Sequence, residues 1–218
     1  MGLREISTSL SDILLALSAF VFAIRLQRSD ISNQTRPIRF WWMVSLVSLG
    51  ICAALGGVYH WFRVYLTEAA LLWNWRLINV TIAAMSFSIL WATLVTFSKI
   101  RRPRCLLVIT LGLTLFLLLL ALYSDRVIFL LLQYLLGLAV LLYFVASKRL
   151  ETSMQCAFFS FIALSGVAAL IQQTGVGIGD ILNDNTLYHL IQIASLFFLE
   201  RGVRRVLKRP MDSIETVG

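Results

Sequence analysis

Seven apolar stretches divided by short polar breaks constrain this chain more than any motif in it. They cover residues 9–26, 40–62, 69–98, 105–122, 127–147, 153–173 and 186–207. About 20 apolar residues wound as a helix cross a hydrocarbon core about 30 Å thick. Lipid offers no hydrogen bonds, so each backbone N–H and C=O must find a partner within the protein, and a helix provides one locally. The runs are continuous rather than alternating, which excludes a transmembrane barrel. The expected fold is all-α, a seven-transmembrane-helix bundle filling residues 1–218 as one domain. Composition agrees: charged residues make up 14% of the chain, against about 25% in a soluble domain.

The third run is too long for one straight span. Its membrane part is expected at 77–97, with Trp73 and Trp75 in the interfacial aromatic belt and Trp41 and Trp42 at the other interface. The first run follows a lone Arg4, as in a signal peptide. No small-residue cleavage site follows, and Arg25 and Arg28 come directly after, so it reads as helix 1. The three cysteines have no metal spacing and read as small buried apolar residues.

Orientation follows from the basic residues. Segments 25–39, 99–104, 148–149 and 201–209 hold fifteen of the nineteen Lys and Arg, and Arg4, Arg63, Arg76 and Arg126 lie on the other side. The rich side is expected to be cytoplasmic, which puts the N-terminus outside and the C-terminus inside. The net charge of +8 then marks topology and anionic headgroups along RGVRRVLKRP, not nucleic acid. The glycosylation sequon at Asn33-Gln34-Thr35 falls on the cytoplasmic side and is discounted.

Polar groups inside a membrane are costly and are functional candidates by default. The chain has two histidines, His60 late in helix 2 and His189 early in helix 7. The topology puts both toward the outer face, at one depth. Asp12, Arg76, Asn79, Asp180 and Asp184 share that level. Asn185, His189 and Gln192 are spaced i, i+4, i+7 on one helical face. Gly56, one turn before His60, lets a neighbour approach closely.

Three readings fit these residues. His60 and His189 with Asp12 or Asp184 could hold zinc and an open water position, Arg76 or Asn79 stabilising an oxyanion. The two histidines could bind a haem. Or they could serve as hydrogen-bonded links between helices. The run GVGIGD is similar to a potassium-filter sequence, but no pore helix precedes it, so it reads as a flexible glycine hinge. A retinal Schiff base would need a lysine inside helix 7, and none is there. Gln133 and Ser160 read as interhelical glue.

The histidine pattern resembles the superfamily of alkaline ceramidases and adiponectin/progestin-type receptors. The resemblance rests on His60 in GGVYHWF and on Asn185-xxx-His189 in NTLYHLIQIASLFFL. It covers the helical core and is shared with a related bacterial seven-helix family. It implies a metal-dependent hydrolase of amide-linked lipids, with zinc on His60, His189 and Asp12 or Asp184. Asn185 and Gln192 would orient ligands or substrate. The chain departs from the family in several places. Asn185 stands where a zinc-ligating histidine is expected, Gly56 where a serine is, and Asn79 is the nearest counterpart of a helix 3 aspartate. No calcium-binding N-terminal segment is recognisable. The alternative is a lipid-binding, receptor-like or assembly protein that keeps the fold without the metal. Membrane lipids are the expected partners, and the short loops favour a bacterial inner membrane.

Overall fold

A computed structural model describes residues 2–29, 35–98, 103–124, 126–148 and 150–208. Asn33 and Gln34 of the sequon lie outside the described residues, as do Lys99, Arg101, Arg102, Arg149 and Arg209.

The described residues form seven helices: α1 (Leu3–Gln27), α2 (Arg36–Phe62), α3 (Glu68–Phe97), α4 (Pro103–Ser124), α5 (Ile128–Ser147), α6 (Thr152–Thr174) and α7 (Asp184–Leu207). No strand accompanies them among these residues beyond a single isolated bridge. Six helices, α1 to α6, are long and apolar enough to cross a membrane; α7 is not. Its polar residues turn inward: Thr186, His189, Gln192, Ser195 and Glu200 are all buried. Much of the polarity that lowers the hydropathy of α7 therefore faces protein, while Arg201 stays exposed.

The helices form a ring. α1 packs on α2, α2 on α3, α3 on α5, α5 on α6, α6 on α7, and α7 returns to α1. α4 stands outside, against α3 and α5. It has the highest mean hydropathy of the spans, 2.9, and the least buried surface. A helix apolar on every side suits lipid on most of its circumference. Gln133 of α5 bonds the Thr114 hydroxyl of α4 and ties it to the ring.

Between lipid-solvated helices, close packing and hydrogen bonds replace the hydrophobic drive. Ala16, Ala19 and Ala23 form a small-residue stripe on α1, buried with Gly50, Ala53 and Gly57 of α2. Hydroxyls inside the spans bond back to their own helix, as Thr93 does to the Ile89 carbonyl.

The largest apolar cluster lies toward the α7 C-terminal end, around Trp42, Phe158, Met154, Leu26, Val203 and Val206. Trp42 was expected at the interface. It is fully buried instead, with its Nε1–H 3.2 Å from Thr96 Oγ1 and its ring against Phe158. An indole is held inside when its N–H finds a partner there. Trp73 does stand on the surface, 62% exposed. Cys105 and Cys156 are exposed rather than buried, and Cys52 is half-buried.

The α6–α7 connection is a tied turn rather than a loose hinge. Gly175 (φ 68°) ends α6 in the left-handed region, Gly179 (φ 75°) adopts it again, and Ile178 N–H bonds the Leu182 carbonyl at 2.7 Å. Glycine takes these conformations at no steric cost.

Core and belt tryptophans should part under mutation. Trp42→Ala should cost roughly 3–5 kcal/mol, while Trp73→Ala should stay within about 0.5 kcal/mol. Thermal unfolding in detergent measures both; equal losses would put Trp42 outside the core.

Candidate functional site: buried polar pairs between α1, α2 and α7

α1 and α7 run parallel, so their N-terminal ends meet. The contact begins at Asn183, the N-cap of α7. Its Oδ1 accepts from Thr186 N–H (3.0 Å) and from Thr8 Oγ1 (3.3 Å). Its Nδ2 donates to the Arg4 carbonyl, Ser7 Oγ and the Asp180 carbonyl. One amide thus caps α7 and fastens it to α1. Beside it, Arg4 pairs with Asp184 at 2.8 Å.

One to two turns deeper, His189 lies between two consecutive residues of α1. Its Nδ1 is 2.8 Å from Ser11 Oγ, and its Nε2 is 3.1 Å from Asp12 Oδ1. All three side chains are buried. The Ser11 hydroxyl donates to the Thr8 carbonyl at 2.8 Å, so its oxygen accepts from His189 Nδ1–H. One proton placed between Nε2 and Asp12 leaves the pair with no net charge, whichever atom carries it. That is the arrangement a low-dielectric interior tolerates. Asp12 Oδ2 has no hydrogen-bond partner among the described residues.

Gly56 makes room for this carboxylate. A Cβ built there would come 3.0 Å from Asp12 Oδ1 and 3.2 Å from Oδ2. Neighbouring Gly57 takes a hydrogen bond on its carbonyl from Ser9 Oγ at 2.9 Å. The two glycines bring the α2 backbone up to α1.

His60 belongs to a different contact. Its Nδ1 is 2.8 Å from Glu5 Oε2, and Arg63 Nη1 is 3.4 Å from Glu5 Oε1. Glu5 and Asp12 are seven residues apart on α1, an axial offset of about 10 Å at 1.5 Å per residue. The two histidines therefore lie toward one end of the bundle, each held by a carboxylate on a different turn of α1.

The remaining candidates are dispersed. Arg76 stacks over Trp73, with its Cζ 5.2 Å from the ring centroid. Asn79 is buried on α3 with no partner for its Oδ1 among the described residues. Gln192, one turn below His189, is buried and lines a small internal cavity with Tyr134. Asn185 is half-buried and makes no hydrogen bond among the described residues.

A catalytic zinc takes three protein ligands and keeps one open position. Among the described residues no three His, Cys, Asp or Glu side chains converge to hold a metal ion. His189 and Asp12 are paired with each other, His60 with Glu5, and Asp184 with Arg4. This donor arrangement does not fit zinc. Nor do histidines each paired with a carboxylate of its own fit the two axial positions of one haem iron.

Sequence reading passed over a second buried cluster, at the other end of the α1–α7 contact. Glu200 is fully buried, 3.2 Å from Arg25 Nε and 3.4 Å from Arg204 Nη1. A signal was present: Glu200 is eleven residues after His189, which returns to the same helical face. Glu5, Ser11 and Asn183 were also passed over, and only their contacts single them out.

The Asp12–His189 pair should behave as one unit. Asp12→Ala and His189→Ala should each cost roughly 3–5 kcal/mol, because each leaves an uncompensated buried partner. The double variant should cost far less than their sum. Additive losses in thermal unfolding would show that the two side chains act independently.

No curated protein and no solved structure matches the chain. The resemblance to ceramidases and receptors therefore stands on its motifs alone. One family model does match, from residue 7 to residue 208, and the chain belongs to that family, described as a family of unknown function (DUF6962).

Proposed function

We propose that this membrane-compatible helical protein binds a lipid in a groove between α1 and α2, without hydrolysing it. The supporting observation is the groove itself. It is an open cavity of about 530 Å³ lined by Leu10, Ile13, Leu17, Phe20, Val58 and Trp61, with Ser9 and Gly57 on its wall. Several of these side chains are exposed on the bundle surface. In a bilayer that surface meets acyl chains, so a lipid enters sideways. At one end a polar cap is in place. Glu5 is one turn before Ser9, His60 adjoins Trp61, and Arg63 completes the group. This carboxylate, imidazole and guanidinium offer donors and acceptors to a headgroup at the interface, while the chain below needs none.

The Asp12–His189 pair lies behind the groove wall, since a Cβ on Gly57 would be 3.4 Å from Asp12 Cβ. It contributes the rigid α1–α2–α7 junction on which the wall stands. The expected topology places this end of the bundle at the outer face. A hydrolase with a metal-bound water would require Asp12, His189 and His60 to leave their partners and turn to one point.

Native mass spectrometry of the detergent-purified protein, with elemental analysis beside it, separates the two. The expected result is one retained lipid per chain, lost or reduced at least tenfold when Ala54→Trp fills the groove, and no stoichiometric metal. About one zinc per chain, lost in His189→Ala, would overturn the proposal in favour of the hydrolase.

A further inference from the structure

At the opposite end, the last two turns of α7 hold a basic cavity. It measures about 150 Å³ and is lined only by Arg201, Arg204, Arg205 and Lys208. Arg201 and Arg205 also line a groove of about 230 Å³ between α6 and α7, whose wall includes Cys156, Ala157 and Phe198. The two cavities therefore share Arg201 and Arg205, and the α6–α7 groove, with Ser153 and Ser160 also in its wall, runs from these cations to Cys156, Ala157 and Phe198.

We infer that this is a binding site for an acidic glycerophospholipid, with the phosphate among Arg201, Arg204, Arg205 and Lys208 and an acyl chain in the α6–α7 groove. Three features support the assignment. First, the arginines are held in place before any ligand arrives. Arg205 Nη1 donates to the Ser153 carbonyl at 2.7 Å, Arg201 stacks 5.5 Å from the Phe197 ring centroid, and Arg204 is held by buried Glu200. A positioned guanidinium loses little entropy on meeting a phosphate, and its planar fork matches two phosphate oxygens. Second, the charge is unbalanced. Among the described residues the carboxylates beside the cavity are Glu200, which is shared with Arg25, and Glu151, which accepts from the Ser153 hydroxyl, fewer than its four cations. Third, the α6–α7 groove continues from Arg201 and Arg205 to an apolar stretch at Cys156, Ala157 and Phe198, with the Ser153 and Ser160 hydroxyls beside it. A free anion would have no use for it, and a neutral lipid would have none for the arginines. The expected topology puts this end at the cytoplasmic leaflet, where anionic headgroups meet basic segments.

The test is native mass spectrometry of the delipidated full chain, titrated with phosphatidylglycerol and with phosphatidylcholine of the same acyl chains. Phosphatidylglycerol should bind at roughly tenfold lower concentration. Arg201→Gln with Arg205→Gln should abolish that preference. Arg201→Gln alone breaks no hydrogen bond among the described residues and should weaken it several-fold, which covers a double variant that fails to fold. Cys156→Trp should block the lipid. Arg126→Gln at the far end and Ala54→Trp in the α1–α2 groove should leave the preference intact, so the two lipid sites succeed or fail separately. Equal binding of the two lipids would overturn the inference. So would a preference that survives the arginine variants, or one that millimolar inorganic phosphate removes while Cys156→Trp has no effect. The last result would mean a free-anion site.

Discussion

A carboxylate in hydrocarbon must be neutralised, and in this bundle the two most buried ones are neutralised across the same pair of helices. Asp12 of α1 meets His189 of α7, and Glu200 of α7 meets Arg25 of α1. Seven helices are an odd number, so the first and last run the same way and no loop joins them. Side chains alone close the ring at this point. The closure has polar contacts toward both ends, Arg4–Asp184 and Asn183 at one and Arg25–Glu200 at the other. In water such pairs would contribute little. In lipid, separating α1 from α7 would expose each of them without a partner, so they determine which neighbour each helix takes.

This constraint also explains where hydropathy was informative. α4 and α5 face lipid over much of their surface, so their composition alone located them to within two residues at each end. α1 begins at Leu3 rather than near residue 9, because Ser7, Thr8, Ser9 and Ser11 turn inward to α7, α2 and their own backbone. A hydropathy sum counts those hydroxyls as loop. α7 was located by its run but falls short of a span by composition, for the same reason on a larger scale. Trp42 failed in the opposite sense. Tryptophan near a helix start is common at an interface, and only the Thr96 hydroxyl on α3 makes an interior position favourable.

The histidines stood out in the sequence because the chain has two of them; their partners did not. Ser11 and Glu5 are ordinary residues at the start of a helix until α7 and α2 are laid beside them. The placement of His60 and His189 toward one end of the bundle followed from counting helices, and counting helices does not show which side chain each imidazole meets. Those partners decide the chemistry. Two histidines at one level could serve one metal, whereas here each is committed to a carboxylate on a different turn of α1. Asn185, which looked like a lost zinc ligand, is half-buried and stands outside the Asp12–His189 contact.

Gly56 and Gly57 connect the polar junction to the lipid-facing surface. On one side, Gly56 leaves the space that the Asp12 carboxylate occupies. On the other, Gly57 forms wall in the α1–α2 groove. The separating layer is therefore little more than backbone, and the charge behind it would be felt in the groove if it were net. A pair that holds one proton between Asp12 and His189 carries no net charge. An apolar chain can lie against that wall without facing an ion, and the charged residues near the groove are confined to the Glu5–His60–Arg63 cap, where a headgroup would meet them. Neutrality inside and charge only at the rim are what a site for a lipid requires. A hydrolytic centre would need the reverse, with its reactive group open to the groove.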